Sequence, residues 1–205
     1  MEVTAIAVIL IFVASIVSTV SHKGSDYRAE KPSRISSSVQ YESLPSADFD
    51  LTAEEQNKAA ISFYVIRRAK KLSRDDAEAL VNSVMDYAKK YNVNPKLLTG
   101  LIDRESGFDP MAVSSSNAQG LGQLLPSTAA SIGIRDPHDI DEGTKGAAIY
   151  IRMMLDRWTG NPNQVPLALA SYAEGYNQIV RAGGEYKPAT ATYIKGILDV
   201  YNSIR

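Results

Sequence analysis

Apolar residues recur at helical spacing along most of residues 51–205, and no stretch alternates between apolar and polar residues as a half-buried strand does. One run on a single helix face consists of Ala77, Leu80, Val81 and Val84. The chain contains no cysteine, so disulfides and thiolate metal sites are excluded. The pattern therefore predicts an all-α domain over residues 51–205, with a core made by packed helix faces.

Helix-start signals place several boundaries. Thr52 and Glu55 form a capping-box pattern, and Ser73 precedes the run described above. Asn94 and Pro95 suit the cap and first position of a helix that ends near the residue pair Glu105–Ser106. We expect further helices at about 126–132, 141–158, 165–182 and 189–204.

The N-terminus carries an uncharged apolar run, "VTAIAVILIFVASIVSTV", residues 3–20. Its 18 residues would make a helix of roughly 27 Å, about the thickness of a bilayer core. Because no basic residue precedes the run and no Ala-x-Ala follows, we favour a transmembrane anchor in residues 1–20 over a cleaved signal segment. The basic flank after the run would favour a cytoplasmic position by the positive-inside rule: Lys23, Arg28, Lys31 and Arg34.

Residues 21–50 are rich in serine, contain two prolines and show no period, which predicts a flexible linker. The formal net charge of the whole chain is −1, so its charge gives no indication of a nucleic-acid partner. The segment "DPHDIDEG", residues 136–143, lacks calcium-loop spacing, and its acids more simply suit the start of a helix. No pattern joins His22 to His138, and we predict neither metal nor cofactor.

Four ordered blocks carry a family resemblance: "ESGFDPMAVS" (105–114), "NAQGLGQLLPSTA" (117–129), "LALASYAEGY" (167–176) and "TATYIKGIL" (190–198). With these blocks, residues 91–201 resemble the soluble-lytic-transglycosylase (SLT) family. The resemblance implies a lysozyme-like, goose-type helical fold. It also implies an enzyme that cuts peptidoglycan between N-acetylmuramic acid and N-acetylglucosamine without water, leaving a 1,6-anhydro sugar.

Glu105 matches the catalytic acid of that family. Cleaving a glycosidic bond requires a proton on the leaving oxygen, and a carboxyl holds one at neutral pH only if its pKa is raised, as by apolar burial. Glu105 follows Leu101 and Ile102 and precedes Phe108, so partly apolar surroundings are expected. The resemblance implies that the substrate's N-acetyl group replaces a second carboxylate, and that Glu105 serves first as acid and then as base.

Other residues are assigned by their match to the family motifs. Ser106 and Gln123 are expected to bind substrate, and a glutamine amide can both donate and accept hydrogen bonds. Tyr193 is expected to orient the catalytic carboxyl, and Tyr172 to form a wall of the site. Gly120 is expected to let the backbone pass close to sugar or to a helix.

The sequence departs from the family at several positions. Gly122 replaces a methionine, which predicts a wider cleft, and Asn117 replaces a glycine. In the third block, Ala173 replaces an asparagine, Glu174 an alanine and Tyr176 a proline. We therefore weigh a hydrolase alternative in which Glu174 activates water.

Two functions remain beside a membrane-tethered lytic transglycosylase. One is a lysozyme-like muramidase in which Glu174 or Asp109 assists water, and the other is an inactive peptidoglycan-binding scaffold. The expected partners are glycan strands, a membrane contacted through residues 3–20, and an envelope-spanning or virion complex. The expected location is the periplasmic side of a membrane, with the membrane of a lipid-containing bacteriophage as the alternative.

Overall fold

The computed structural model describes residues 47–205, so the predicted anchor in residues 1–20 and most of the predicted linker lie outside the described residues. The described part contains eight α-helices: α1 (Glu54–Arg68), α2 (Arg74–Lys90), α3 (Pro95–Ser106), α4 (Pro126–Ser131), α5 (Ile140–Arg157), α6 (Gln164–Glu174), α7 (Tyr176–Arg181) and α8 (Pro188–Ser203). The described part has no β-strand and contains only two isolated β-bridges. None of the helices in this part is long and apolar enough to cross a membrane. The all-α prediction is confirmed.

Two helices begin where their predicted capping residues place them. The Ser73 hydroxyl accepts a hydrogen bond from the Asp76 amide at the start of α2. The Asn94 side chain accepts from the amides of Lys96 and Leu97 at the start of α3, and Pro95 is its first residue. Side-chain oxygens thus satisfy amides that have no partner within the helix.

The predicted capping box at Thr52 is wrong. Asp50 accepts the Thr52 amide instead and caps a short 3-10 turn, Leu51–Ala53. α1 then begins at Glu54 without a side-chain cap. The Asp50 carboxylate, two residues upstream, thus accepts the amide that the Glu55 side chain would accept in a capping box.

The predicted helix at residues 165–182 is divided in two. α6 ends at Glu174 and α7 begins at Tyr176, because Gly175 between them has φ = 90°. That positive φ lies outside the helical region and is readily adopted only by glycine. α6 and α7 are therefore two separate helices.

The first four described residues belong to the predicted linker, yet they pack on the helical domain. The Asn94 amide donates to the Ala47 carbonyl at 2.8 Å, and the Phe49 amide donates to Asn92 Oδ1. Arg152 forms an ion pair with Asp48. The contacts of the helical domain therefore include residues before 51.

Helix α3, which carries Glu105, is largely buried. Its buried residues run almost continuously: Pro95, Leu97, Leu98, Thr99, Gly100, Leu101, Ile102 and Asp103. It contacts α1, α2, α5 and α8, with α8 as its most extensive neighbour. The close α3–α8 approach occurs at Gly100, where a Cβ would lie 2.9 Å from the Ile197 carbonyl oxygen.

We expect Gly100→Ala to lower the free energy of unfolding by about 1–2 kcal/mol, because overpacking against a backbone oxygen outweighs the gain in helix propensity. Gly196→Ala, across the same helix pair, is the matched control. A Cβ at position 196 would lie 3.7 Å from the Arg104 side chain, which is an ordinary van der Waals distance. The free energy of unfolding should therefore rise by up to about 1 kcal/mol. Urea unfolding measures both, and equal stabilisation by both changes would contradict the assigned packing.

Candidate active site

Glu105 lies in the last turn of α3, half-buried, and is held by a residue from α8. The Tyr193 hydroxyl donates a hydrogen bond to Glu105 Oε1 at 2.5 Å. Burial raises the pKa of Glu105 to about 7, while the Tyr193 hydrogen bond and the charge of Arg104 act to lower it. The site thus contains a carboxyl that retains its proton near neutral pH.

Arg104 is a site residue that the motif comparison did not identify. Its guanidinium carbon lies 5.9 Å from the centroid of the Tyr193 ring, and its buried Nε has no hydrogen-bond partner in the described part of the chain. The positive charge is therefore placed over the ring that holds Glu105. The signal in the sequence was its position directly before Glu105.

The chain after Glu105 is fixed by buried contacts with α1. Phe108 is fully buried despite φ = 64°, and its ring packs edge-on against Tyr64 at 6.3 Å between centroids. The buried Asp103 accepts hydrogen bonds from the Tyr64 hydroxyl, at 2.7 Å, and from Arg68. α1 therefore braces both the end of α3 and the loop that follows.

Gln123 and Gly120 shape the loop of the second block. The Gln123 amide nitrogen donates to the carbonyls of Ala112 and Gly120, at 3.1 and 3.0 Å. Its side-chain oxygen makes no hydrogen bond to the described residues and remains available as an acceptor. Gly120 has φ = 70°, and a Cβ there would lie 1.7 Å from the Pro137 carbonyl oxygen, so its close approach is to backbone.

Tyr172 is buried close to Glu105. Its hydroxyl donates to the Gly122 carbonyl at 2.7 Å, and its ring meets Tyr150 edge-on at 4.9 Å. A Cβ at Gly122 would lie 2.9 Å from the Ala147 Cβ and 3.1 Å from the Tyr172 hydroxyl. The expected widening at Gly122 is therefore wrong, since Ala147 and Tyr172 fill that space.

Ser106 and Glu174 are engaged in contacts within the protein. The Ser106 hydroxyl donates to the Ile102 carbonyl, one turn back in its own helix. The Glu174 side chain is 2% exposed and accepts hydrogen bonds from the Lys187 amide, the Thr190 hydroxyl and the Gln178 amide group. These contacts favour a structural role for Glu174, which joins the end of α6 to the start of α8.

The remaining departures also have structural explanations. Asn117 has φ = 62°, a backbone conformation that asparagine tolerates better than most residues. Tyr176 packs edge-on against Trp158 at 5.6 Å, and the Arg157 guanidinium lies 4.4 Å from its ring centroid. Ala173 is half-buried at the edge of the core.

The acidic segment 136–143 serves the start of α5. The Asp139 side chain caps the helix by accepting from the Glu142 amide, and Glu142 accepts from the amides of Arg135 and Asp136. These backbone hydrogen bonds lower the pKa of Glu142 to about 2. Across residues 47–205, no three His, Cys, Asp or Glu side chains are grouped as a metal site requires.

In Tyr193→Phe we expect the pKa of Glu105 to rise above about 7, because a hydrogen bond that stabilises the carboxylate is lost. Carbon-detected NMR titration of the carboxyl measures it. Tyr172→Phe is the matched control, since its hydroxyl binds Gly122 instead of the carboxyl. It should lower stability by about 1 kcal/mol and leave the pKa of Glu105 nearly unchanged. Equal pKa values in both variants would contradict this assignment.

Comparison with known proteins places this geometry in a family. A family model described as "Transglycosylase SLT domain" matches residues 82–194, more than half of the chain. A "Transglycosylase" of Enterobacteria phage PRD1 is 37% identical over 89 residues, which are 43% of this chain and 32% of the relative.

Two bacterial relatives carry the name "Membrane-bound lytic murein transglycosylase F". That of Sodalis glossinidius is 33% identical over 98 residues, covering 45% of this chain and 20% of the relative. That of Marinobacter nauticus is 35% identical over 97 residues, covering 46% and 19%. The chain thus matches about a third or less of the length of these relatives. Since the family model covers more than half of the chain, including Glu105, Gln123, Tyr172 and Tyr193, the protein belongs to the transglycosylase SLT domain family.

Proposed function

We propose that this protein is a membrane-tethered lytic transglycosylase that cleaves peptidoglycan between N-acetylmuramic acid and N-acetylglucosamine. The observation that carries the proposal is the pairing of a half-buried Glu105, with its pKa near 7, and the Tyr193 hydroxyl that orients it. Relatives named lytic murein transglycosylases support the substrate class.

In the first step, Glu105 donates its proton to the glycosidic oxygen as the bond to C1 breaks. Without that proton the departing sugar would leave as an alkoxide, which is a poor leaving group. The N-acetyl oxygen of the muramic acid attacks C1 and holds the developing positive charge. Tyr193 keeps the carboxyl in place and stabilises the carboxylate that forms.

In the second step, the Glu105 carboxylate takes the proton of the sugar's own C6 hydroxyl. The C6 oxygen bonds to C1 and the N-acetyl oxygen leaves, which yields the 1,6-anhydro product. Glu105 is protonated again, so one carboxyl completes the cycle and water is not consumed. The free side-chain oxygen of Gln123 suits a hydroxyl or acetamido group of the glycan.

The contacts of the other candidate acids favour this route over hydrolysis. Asp109 forms an ion pair with Lys71 at 2.5 Å and accepts a hydrogen bond from the Met111 amide. Glu174 is buried with its oxygens already hydrogen-bonded. Neither resembles the free second carboxylate that a water-activating mechanism requires.

The tether and location rest on sequence and on relatives. The uncharged run at residues 3–20 has the length of a membrane span, and bacterial relatives are named membrane-bound. We therefore place the catalytic domain beside the cell wall on the periplasmic side of a membrane. One relative belongs to a phage, so a virion membrane is the alternative location.

The test is mass spectrometry of muropeptides released from purified sacculi by the full chain. We expect products one water, about 18 Da, lighter than hydrolytic ones, and their loss in Glu105→Gln, because the amide cannot donate the proton. Glu78→Gln, on the exposed face of α2, is the matched control and should keep full activity.

Each other outcome assigns another function. Reducing-end products that disappear in Glu105→Gln would indicate a muramidase, and Glu174→Gln would then test whether that residue activates water. No release by folded wild-type protein would indicate a glycan-binding scaffold.

The rate should depend on pH through Glu105. Because the acid must be protonated when substrate binds, kcat/KM should fall about tenfold per pH unit above about 7. In Tyr193→Phe the decline of kcat/KM should begin at higher pH, because the pKa of Glu105 is raised, and the maximal rate should be lower. A decline that begins near pH 4.5, the ordinary value for glutamate, would contradict the role of burial.

A further inference from the structure

Positive charge is concentrated on α1, the turn after it and the first residue of α2. Residues 56–74 contain six of the chain's 22 Lys and Arg residues and none of its 23 Asp and Glu residues. All six are exposed: Lys58, Arg67, Arg68, Lys70, Lys71 and Arg74. Because the chain as a whole has a net charge of −1, this segregation creates a local positive field.

Large apolar side chains are exposed among these charges. Phe63 is 64% exposed and Ile66 is 51% exposed. Phe63, Ile66 and Arg67 stand at positions i, i+3 and i+4, so they share one face of α1. The Arg67 guanidinium lies 5.1 Å from the centroid of the Phe63 ring.

A groove lies against this face. Its volume is about 520 Å³, in the range of small-molecule sites. Apolar and basic groups line it together: Ala60, Phe63, Tyr64, Arg67, Arg68, Ser203, Ile204 and Arg205. Of the basic residues on α1 and its turn, Arg68 pairs with Asp103 and Lys71 with Asp109, while Arg67 and Lys70 form no ion pair with the described residues.

We propose that this face docks on an anionic lipid surface, with a phosphate headgroup taken by the arginines of the groove. We call it the α1 basic face and define it by the residues Phe63, Ile66, Arg67, Arg68, Lys70 and Lys71. Exposed aromatic and aliphatic side chains enter the headgroup boundary, while Lys and Arg pair with phosphates.

The proposal is independent of the proposed catalytic function. α1 lies outside residues 82–194, which the family model covers, so the surface is not part of the matched domain. It also contacts the site region, because Tyr64 and Arg68 on the same helix bind Asp103, two residues before Glu105. Docking through α1 would therefore orient the catalytic domain relative to the lipid.

The absence of cysteine allows a site-specific test in the full chain. In one variant, Ala59→Cys, an environment-sensitive dye is attached on the same face of α1, one turn before Phe63. In a second variant, Ala130→Cys, the same dye is attached to an exposed position of α4, away from this face. Vesicles of phosphatidylcholine alone, or of equal parts phosphatidylcholine and phosphatidylglycerol, carry a spin-labelled lipid as quencher. We expect quenching at position 59 with the anionic vesicles, little with the neutral ones, and little at position 130 with either.

Charge-reversed variants identify the surface. Arg67→Glu/Lys70→Glu should reduce the docked fraction about tenfold or more, because each basic residue near an anionic surface contributes substantially to binding. Arg181→Glu/Lys195→Glu changes the net charge equally on exposed residues of α7 and α8 and should leave docking unchanged. Docking should also weaken as salt is raised.

Three results would overturn the proposal. The first is equal quenching with neutral and anionic vesicles, and the second is an equal loss in both charge-reversed variants. The third is binding of a different partner to this face. It would be seen as sedimentation with sacculi that is lost in Arg67→Glu/Lys70→Glu, or as self-association that is lost in Phe63→Ser. Thermal melts that match the wild type establish that the variants are folded.

Discussion

The contact on which the site depends is the close packing of α3 against α8. Glu105 stands at the end of one helix and Tyr193 on the other, 88 positions apart in the chain. Gly100 allows the close approach of the two backbones on which this hydrogen bond rests, since a Cβ there would lie 2.9 Å from the Ile197 carbonyl oxygen. A larger residue at position 100 would separate the helices and move the tyrosine from the carboxyl, even though Glu105 and Tyr193 themselves were unchanged.

The same packing explains the electrostatics of the carboxyl. Burial raises the pKa of Glu105, and the hydroxyl of Tyr193 with the charge of Arg104 counteracts part of that rise. Arg104 lies over the Tyr193 ring, so the two effects that lower the pKa of Glu105 come from residues in contact across α3 and α8. A carboxyl balanced in this way near neutrality can give and take a proton within one reaction cycle.

The third motif block shows how a departure from a family pattern can be structural. Glu174 could be interpreted from the sequence as an additional catalytic acid. In the fold it binds the Lys187 amide and the Thr190 hydroxyl at the beginning of α8, the helix that carries Tyr193. Its carboxylate therefore supports the site by fixing a helix start, where negative charge is favourable.

The sequence by itself determined the all-α class and most helix starts, while the match to family motifs predicted Glu105, Gln123 and Tyr193 as site residues. The class and the helix starts follow from local signals, since caps such as Ser73 and Asn94 act on neighbouring amides and helical periodicity needs only nearby residues. Only the tertiary structure decided the break at Gly175, the filled space at Gly122, the burial of Glu174 and the exposure of Ile66. Each of these depends on contacts between residues far apart in the chain, or on their absence, and local patterns do not encode such distances.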